Sequence, residues 1–196
     1  MAMAAASLLL AAVIIMGSPG PSTVSLTAVA ASFGLRASLH YGAGLVLGTI
    51  SVLLLVAMGV SALLLAWPEA ALPLRLAAAV YWLYLAWRIA TAPPLQPAQG
   101  ASHAPGWLAG YLLALANPKA YLAIGAVYSG HSLLPAMPLA DAAFKIALLC
   151  LMILLIHLAW GLFGALLARH LRDARTARLV NGMLAAVLIL SLALTF

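Results

Sequence analysis

With 196 residues, 67% of them hydrophobic and 6% charged, and a mean hydropathy of +1.18, the chain lies far outside the range of soluble domains and reads as an integral membrane protein. Its formal charge of +6 comes from nine Lys and Arg against three Asp and Glu; the basic residues sit at the ends of apolar segments, which excludes nucleic acid as a partner and marks membrane topology instead. The one cysteine, Cys150, lies in an apolar run, so an internal disulfide, a CxxC redox pair and a cysteine metal cluster are all excluded and packing is its expected role.

A membrane span takes about 20 apolar residues, and the chain divides into six such segments. The first covers residues 4–33 and is interrupted by "MGSPGPST", residues 16–23. It lacks a basic n-region and its hydrophobicity resumes past the break, so it is expected to be mature structure and not a secretory signal. The second segment, 41–67, carries Gly44 and Gly48 at GxxxG spacing. The third, 72–90, has Arg75 and Arg88 near its ends and the aromatic cluster Tyr81, Trp82, Tyr84, Trp87. "TAPPLQPAQGASHAPG" follows, rich in Pro, Gln and Gly, and reads as a linker over about 92–104. The fourth segment, 105–134, holds a second GxxxG pair, Gly106 and Gly110, and is interrupted by Asn117-Pro118-Lys119. The fifth and sixth run over 139–168 and 177–196. The glycine pairs predict close helix packing within the monomer, with a homo-oligomer left open.

Residues 1–91 and 105–196 thus hold three spans each, and each half opens with the span that proline breaks. The fold class implied is an all-α integral membrane protein, a single domain of six transmembrane helices arranged as two inverted three-helix repeats. Charge supports the arrangement. Loops on one side would hold Arg36, Arg88, Arg169, Arg172, Arg175 and Arg178, and the opposite side Arg75 and Lys145, so the positive-inside rule puts both termini on the outer, periplasmic side of a cell inner membrane.

Both breaks fall near the bilayer middle if these segments are helices of 1.5 Å rise. Proline strips a backbone donor and clashes with the preceding turn, and unwound backbone at that depth is tolerated against a cavity or other helices. The amide ends of the half-helices after Pro21 and Pro118 carry partial positive charge and suit a carboxylate. Ser18, Pro19, Gly20, Pro21, Ser22 and Thr23 on one side, Asn117, Pro118 and Lys119 on the other, and Thr49 in the second span are therefore the candidate substrate-binding residues. Lys119 has two readings of equal weight, an ammonium facing the substrate or one that binds carbonyls of the first broken helix.

His157 lies in the middle of the fifth segment. A neutral core histidine bonded to a carbonyl is the favoured reading, with proton coupling, alone or with Lys119, as the functional one. Tyr81 and Tyr84 are candidate cavity-lining residues. His40, His103, His131 and His170 lie near segment ends and lack metal-site spacing. Glu69, Asp141 and Asp173, the three acids, also lie near segment ends, so no metal and no cofactor is expected and a zwitterion or small acid fits better than a cation.

"GSPGPSTVSL", "GAGLVLGTIS", "AAAVYWLYLAWRIA" and "GYLLALANPKAYLA" resemble, in that order, the LysE/RhtB family of amino-acid exporters, the LysE-type translocators. The resemblance covers nearly the whole chain and implies a six-helix secondary exporter of amino acids or related metabolites driven by an ion gradient, a proton gradient being one choice. Its motif positions here are Pro19, Gly20, Pro21, Asn117, Pro118 and Lys119. The chain departs from the pattern at Thr49, where many members follow the second-span glycine with an acid. The competing classes are a non-transporting scaffold or assembly subunit and a membrane enzyme; the latter would need a nucleophile with a base, and His157 is the single internal candidate.

Overall fold

The computed structural model describes residues 1–59, 104–167 and 174–193 together with scattered positions between 76 and 91. Expectations placed on Glu69, Arg75, Tyr81, Trp82, Arg88, the linker with His103, and Arg169, His170, Arg172 and Asp173 lie outside the described residues. All seven α-helices among the described residues follow from the segment pattern, with boundaries that physical detail has moved.

Helix α1 spans Ala2–Ala11 and continues as a π-helical turn, Ala12–Met16, closed by the amide of Gly17 on the carbonyl of Ala12 at 3.1 Å. Helix α2 begins at Pro21, where the missing N–H is no loss, and runs to Phe33. The two arms, Ala2–Met16 and Pro21–Phe33, are bent by 65° at the break. Helix α3 is Leu35–Ala57 and starts six residues before the sequence pattern suggests. Gly34, at φ 82° and ψ 162°, makes the whole turn alone, a conformation glycine adopts without strain, so the polar "LRASLH" forms helix instead of loop.

Helices α4, Trp107–Leu115, and α5, Pro118–Ser129, are the two arms of the second break, again with proline as the first helical residue. Helix α6, Pro138–Leu167, has 30 residues, roughly 45 Å of rise, and α7 is Ala174–Ala193. Among the described residues α3 and α6 are each long and apolar enough to cross a membrane, and the bent pair α1–α2 passes the same test when its two arms are counted as one span.

The two broken helices run antiparallel. Ser7 Oγ of α1 is 3.2 Å from His131 Nε2 just beyond α5, Lys119 reaches Ser18, and Asn117 reaches Ser22, so the second chain descends as the first ascends. At the opposite end Ala31 of α2 packs against Leu167 and Val180, which places Arg36, Arg175 and Arg178, all exposed, at one end of the molecule and His131 and Lys145 at the other.

Two apolar blocks lie on either side of the crossing. One joins Val24, Val29, Tyr41, Leu45 and Leu113; the other joins Leu8, Val52, Ile124, Leu149 and Ile153, with Cys150 packed at its margin as expected. Polarity is turned inward as a bilayer requires: Ser22, Thr23, Ser25, Thr27 and Ser32 are buried while Leu154, Leu158 and Phe163 of α6 are exposed. The GxxxG glycines of α3 pack within the chain. A Cβ on Gly48 would come 2.6 Å from the Tyr111 carbonyl oxygen, and Gly44 meets the backbone of Trp107.

Asp141 lies in the first turn of α6, near a segment end as expected, with Lys145 one turn on. They are 8% exposed each and pair at 2.9 Å, and Lys145 Nζ also donates to the carbonyls of Tyr128 at 3.2 Å and His131 at 3.1 Å. One turn of helix separates them, so the two charges neutralise each other inside the protein instead of facing water.

Candidate functional site at the crossing of two broken helices

Breaking a helix frees carbonyls that would each cost several kcal/mol if left bare in hydrocarbon, and at the first break five of them have donors. Ser18 Oγ donates to Ile15 O at 2.8 Å, Trp160 Nε1 to Gly17 O at 3.1 Å, and Lys119 Nζ to Ser18 O at 3.0 Å and to Pro19 O. Gly20 O receives the Val24 amide at 2.8 Å and Thr23 Oγ1 at 3.1 Å, and Thr23 Oγ1 in turn accepts the Gly20 N–H at 3.0 Å. The first break is thus closed by its own hydroxyls, by an indole from α6 and by an ammonium from the second break.

Lys119 spends its donors there, adding Ser18 Oγ at 2.9 Å. A cation on the carbonyl end of α1 is also where the helix dipole favours one. Gly20 makes room for it: its φ of −171° suits any residue, but a Cβ would sit 2.8 Å from both Cδ and Nζ of Lys119.

Asn117 ties the breaks a second time, Nδ2 donating to Ser22 Oγ at 3.0 Å. From Ser22 the network continues inward, since Ser25 Oγ donates to Ser22 O at 3.0 Å and the buried Tyr41 of α3 donates its OH to Ser25 Oγ at 3.0 Å. Thr27 Oγ1 binds the carbonyls of Thr23 at 3.0 Å and Trp160 at 3.1 Å, stitching α2 to α6.

Between the breaks lies a cavity of about 50 Å³, room for a few waters and not for an amino acid. Of the residues expected from sequence, Ser18, Gly20, Ser22, Thr23, Thr49, Asn117, Lys119 and His157 line it. Pro19, Pro21 and Pro118 do not; they shape the break behind it. Thr49 is 6% exposed and donates to Leu45 O at 2.8 Å, which puts a hydroxyl oxygen on the wall. Tyr84 is 47% exposed, its ring 6.3 Å from that of Trp87, and does not line the cavity. The apolar walls, Ile124, Ile153 and Ile156, and the Trp160 indole behind the break are absent from the sequence-level site. Trp160 was legible as a same-face neighbour of His157, three residues along one helix.

Two polar atoms on this wall have no partner among the described residues, Asn117 Oδ1 and His157 Nε2. An unpaired buried group of this kind costs about 1–3 kcal/mol. His157 Nδ1 is 2.7 Å from Ile153 O, which makes Nδ1 the protonated nitrogen of a neutral ring and Nε2 an acceptor. His157 also lines a second, apolar cleft of about 430 Å³ between α2, α3 and α6 that begins at Leu35, so its ring is a wall shared by both spaces. Among the described residues no cluster of His, Cys, Asp or Glu has the makings of a metal site.

Comparison with known proteins gives a consistent picture. The sequence pattern of the family described as "LysE type translocator" matches residues 13–196. The chain is 33% identical over 173 residues to the Cysteine/O-acetylserine efflux protein of Escherichia coli O139:H28 (strain E24377A / ETEC), covering 87% of this chain and 86% of that one. It is 32% identical over the same shares to the Cysteine/O-acetylserine efflux proteins of Escherichia coli (strain K12) and Shigella flexneri. No solved structure matches it.

Proposed function

The chain belongs to the LysE type translocators, a family of transporters and not of enzymes, and we propose that it is a secondary exporter of neutral amino acids that works by alternating access around the crossing of the two breaks. One observation carries this reading: the two proline breaks meet, tied by Asn117–Ser22 and Lys119–Ser18, and both place polar side chains on the wall of one small, mainly apolar cavity.

The cavity's small volume suits an occluded state, and opening it to either side requires the broken helices to move apart. With six spans and two inverted repeats, that motion is a rocking of one repeat against the other about the crossing. The substrate carboxylate then meets the first amides of α2 beside Ser22 and Thr23 and those of α5 beside Lys119, which lack intrahelical acceptors. Thr49 and Asn117 supply oxygens for the amine. The absence of a carboxylate on the wall among the described residues favours a substrate with one ammonium over a dibasic one. Membership of the family and the names of its relatives support cysteine and O-acetylserine as the first substrates to try. By the charge bias, the end with Arg36, Arg175 and Arg178 faces the cytoplasm of an inner-membrane protein, and both termini face out.

The test is counterflow in proteoliposomes loaded with L-cysteine, O-acetyl-L-serine and a panel of other amino acids. Exchange above protein-free vesicles for a neutral member of the panel is expected. Purified, monodisperse protein that exchanges none of them would leave a scaffold or assembly subunit as the better description.

A further inference from the structure

His157 and Asn117 both line the cavity, and each keeps a lone pair with no partner among the described residues. The two side chains are 6% and 4% exposed, and the atoms concerned are Nε2 and Oδ1. Their other polar atoms are committed, Nδ1 to Ile153 O at 2.7 Å and Nδ2 to Ser22 Oγ at 3.0 Å, so neither ring nor amide can turn to offer a donor without breaking a buried bond. The two side chains therefore offer the cavity acceptors and no spare donor, which suits a ligand rich in hydrogen-bond donors such as an ammonium.

We propose that His157 Nε2 and Asn117 Oδ1 receive the substrate's ammonium, and that the Nε2 lone pair is also the coupling proton's site, so that proton and substrate exclude each other from one atom. The proposal rests on the exporter reading. The charges around the ring enforce the exclusion. Among the described residues of the cavity wall, α5 contributes Lys119, a cation; the break and α2 contribute hydroxyls and apolar groups; α3 contributes Thr49; α6 contributes nothing charged besides His157 itself. No carboxylate there lets an imidazolium and an ammonium share the space.

Mutual exclusion at one atom is the condition for exchange transport. With the site open to the cytoplasm, the arriving ammonium displaces the Nε2 proton to water on that side; with the site open outward, a proton from that side takes the lone pair as the ammonium leaves, and the protonated empty carrier returns. One proton enters per substrate exported. A zwitterion carries no net charge, so one positive charge moves inward each turn and the membrane potential adds to the pH gradient as a driving force.

His157→Gln separates the two roles, because the Gln oxygen reaches the Nε2 position as an acceptor and does not titrate in the physiological range. Proteoliposomes with the variant are expected to lose accumulation driven by an imposed pH gradient about tenfold or more beyond whatever they lose in L-cysteine counterflow, so the ratio of the two activities is the readout. A ratio unchanged from wild type overturns the proposal. Wild-type vesicles that show no L-cysteine counterflow overturn the exporter reading, and this proposal with it. A second measurement is of binding: L-cysteine affinity of the wild type in detergent is expected to weaken by about tenfold per pH unit once His157 is protonated, and 3-mercaptopropionate, which lacks the amine, to bind without that dependence. An L-cysteine affinity that falls no more steeply on acidification in wild type than in His157→Gln overturns it.

Discussion

Lys119 Nζ lies 2.9 Å from Ser18 Oγ and 3.0 Å from the Ser18 carbonyl oxygen, joining two helix breaks that are 101 residues apart in the chain. Because the same ammonium also serves Pro19 O, its loss leaves two carbonyls of the first break without these donors. Lys119→Ala is therefore expected to lower the apparent Tm of the detergent-solubilised protein by roughly 5 °C, corresponding to a loss of about 2 kcal/mol, and to reduce counterflow at least about tenfold by loosening the crossing. A variant of unchanged Tm with lost transport would move Lys119 from holding the break to facing the substrate.

Gly20 is coupled to that lysine by space and not by backbone conformation. At φ −171° and ψ −179° alanine is unstrained, yet its Cβ would sit 2.8 Å from Lys119 Cδ and Nζ. Gly20→Ala is expected to displace the ammonium and reproduce most of the Lys119→Ala loss, whereas the same substitution made on top of Lys119→Ala should add little. A double-mutant cycle on Tm or counterflow reads the coupling, expected at about 1 kcal/mol or more; additive effects would mean that Gly20 is needed for another reason.

Where the breaks occur was legible in the sequence, because Pro19, Gly20, Pro21 and Pro118 are conspicuous in apolar runs whose helices have no other reason to stop. Which groups meet across them was not. Lys119 reads equally well as a substrate ligand or as a cap for broken backbone, and what decides is the position of the α1 carbonyls in space. Nothing local to Trp160 says that its N–H faces Gly17 from 143 residues away; its spacing shows only that it shares a helix face with His157. The single-residue turn at Gly34 is invisible for a different reason: polar residues after a glycine look like loop, and the positive φ that folds them back into helix is a property of the glycine alone.

The buried pair Asp141–Lys145 closes the end of the molecule that carries the α5–α6 connection. Asp141 Oδ1 accepts the amides of Leu133 and Leu134, Oδ2 pairs with Lys145 at 2.9 Å, and the Lys145 ammonium lies 4.2 Å from the centroid of the Tyr128 ring. Asp141→Asn keeps an acceptor for the two amides and removes the charge, so it isolates the ion pair. Stranding the Lys145 cation is expected to lower the unfolding temperature, while Asp141→Asn with Lys145→Met should recover a large part of the loss. Thermal unfolding of the three proteins in one detergent measures this, and a double variant no more stable than Asp141→Asn would show that the backbone contacts of Lys145 matter more than its charge.

The last prediction concerns sidedness. Arg36, Arg175 and Arg178 are exposed at the end of the molecule where Ala31 meets Val180, and Lys145 at the other end is neutralised by Asp141. Among the described residues the exposed arginines are therefore gathered at one end, for which the positive-inside rule predicts a cytoplasmic location. In a Cys150→Ala background, a cysteine placed at Ala136, exposed in the α5–α6 connection, should react with an impermeant maleimide added outside intact cells or spheroplasts. A cysteine at Leu35, 38% exposed beside Arg36, should react only after the membrane is opened. The reverse pattern would invert the orientation, and with it the side from which the proton reaches His157; labelling of both positions from outside would mean that the chain does not cross the membrane between residues 35 and 136 an odd number of times, which the six-span arrangement requires.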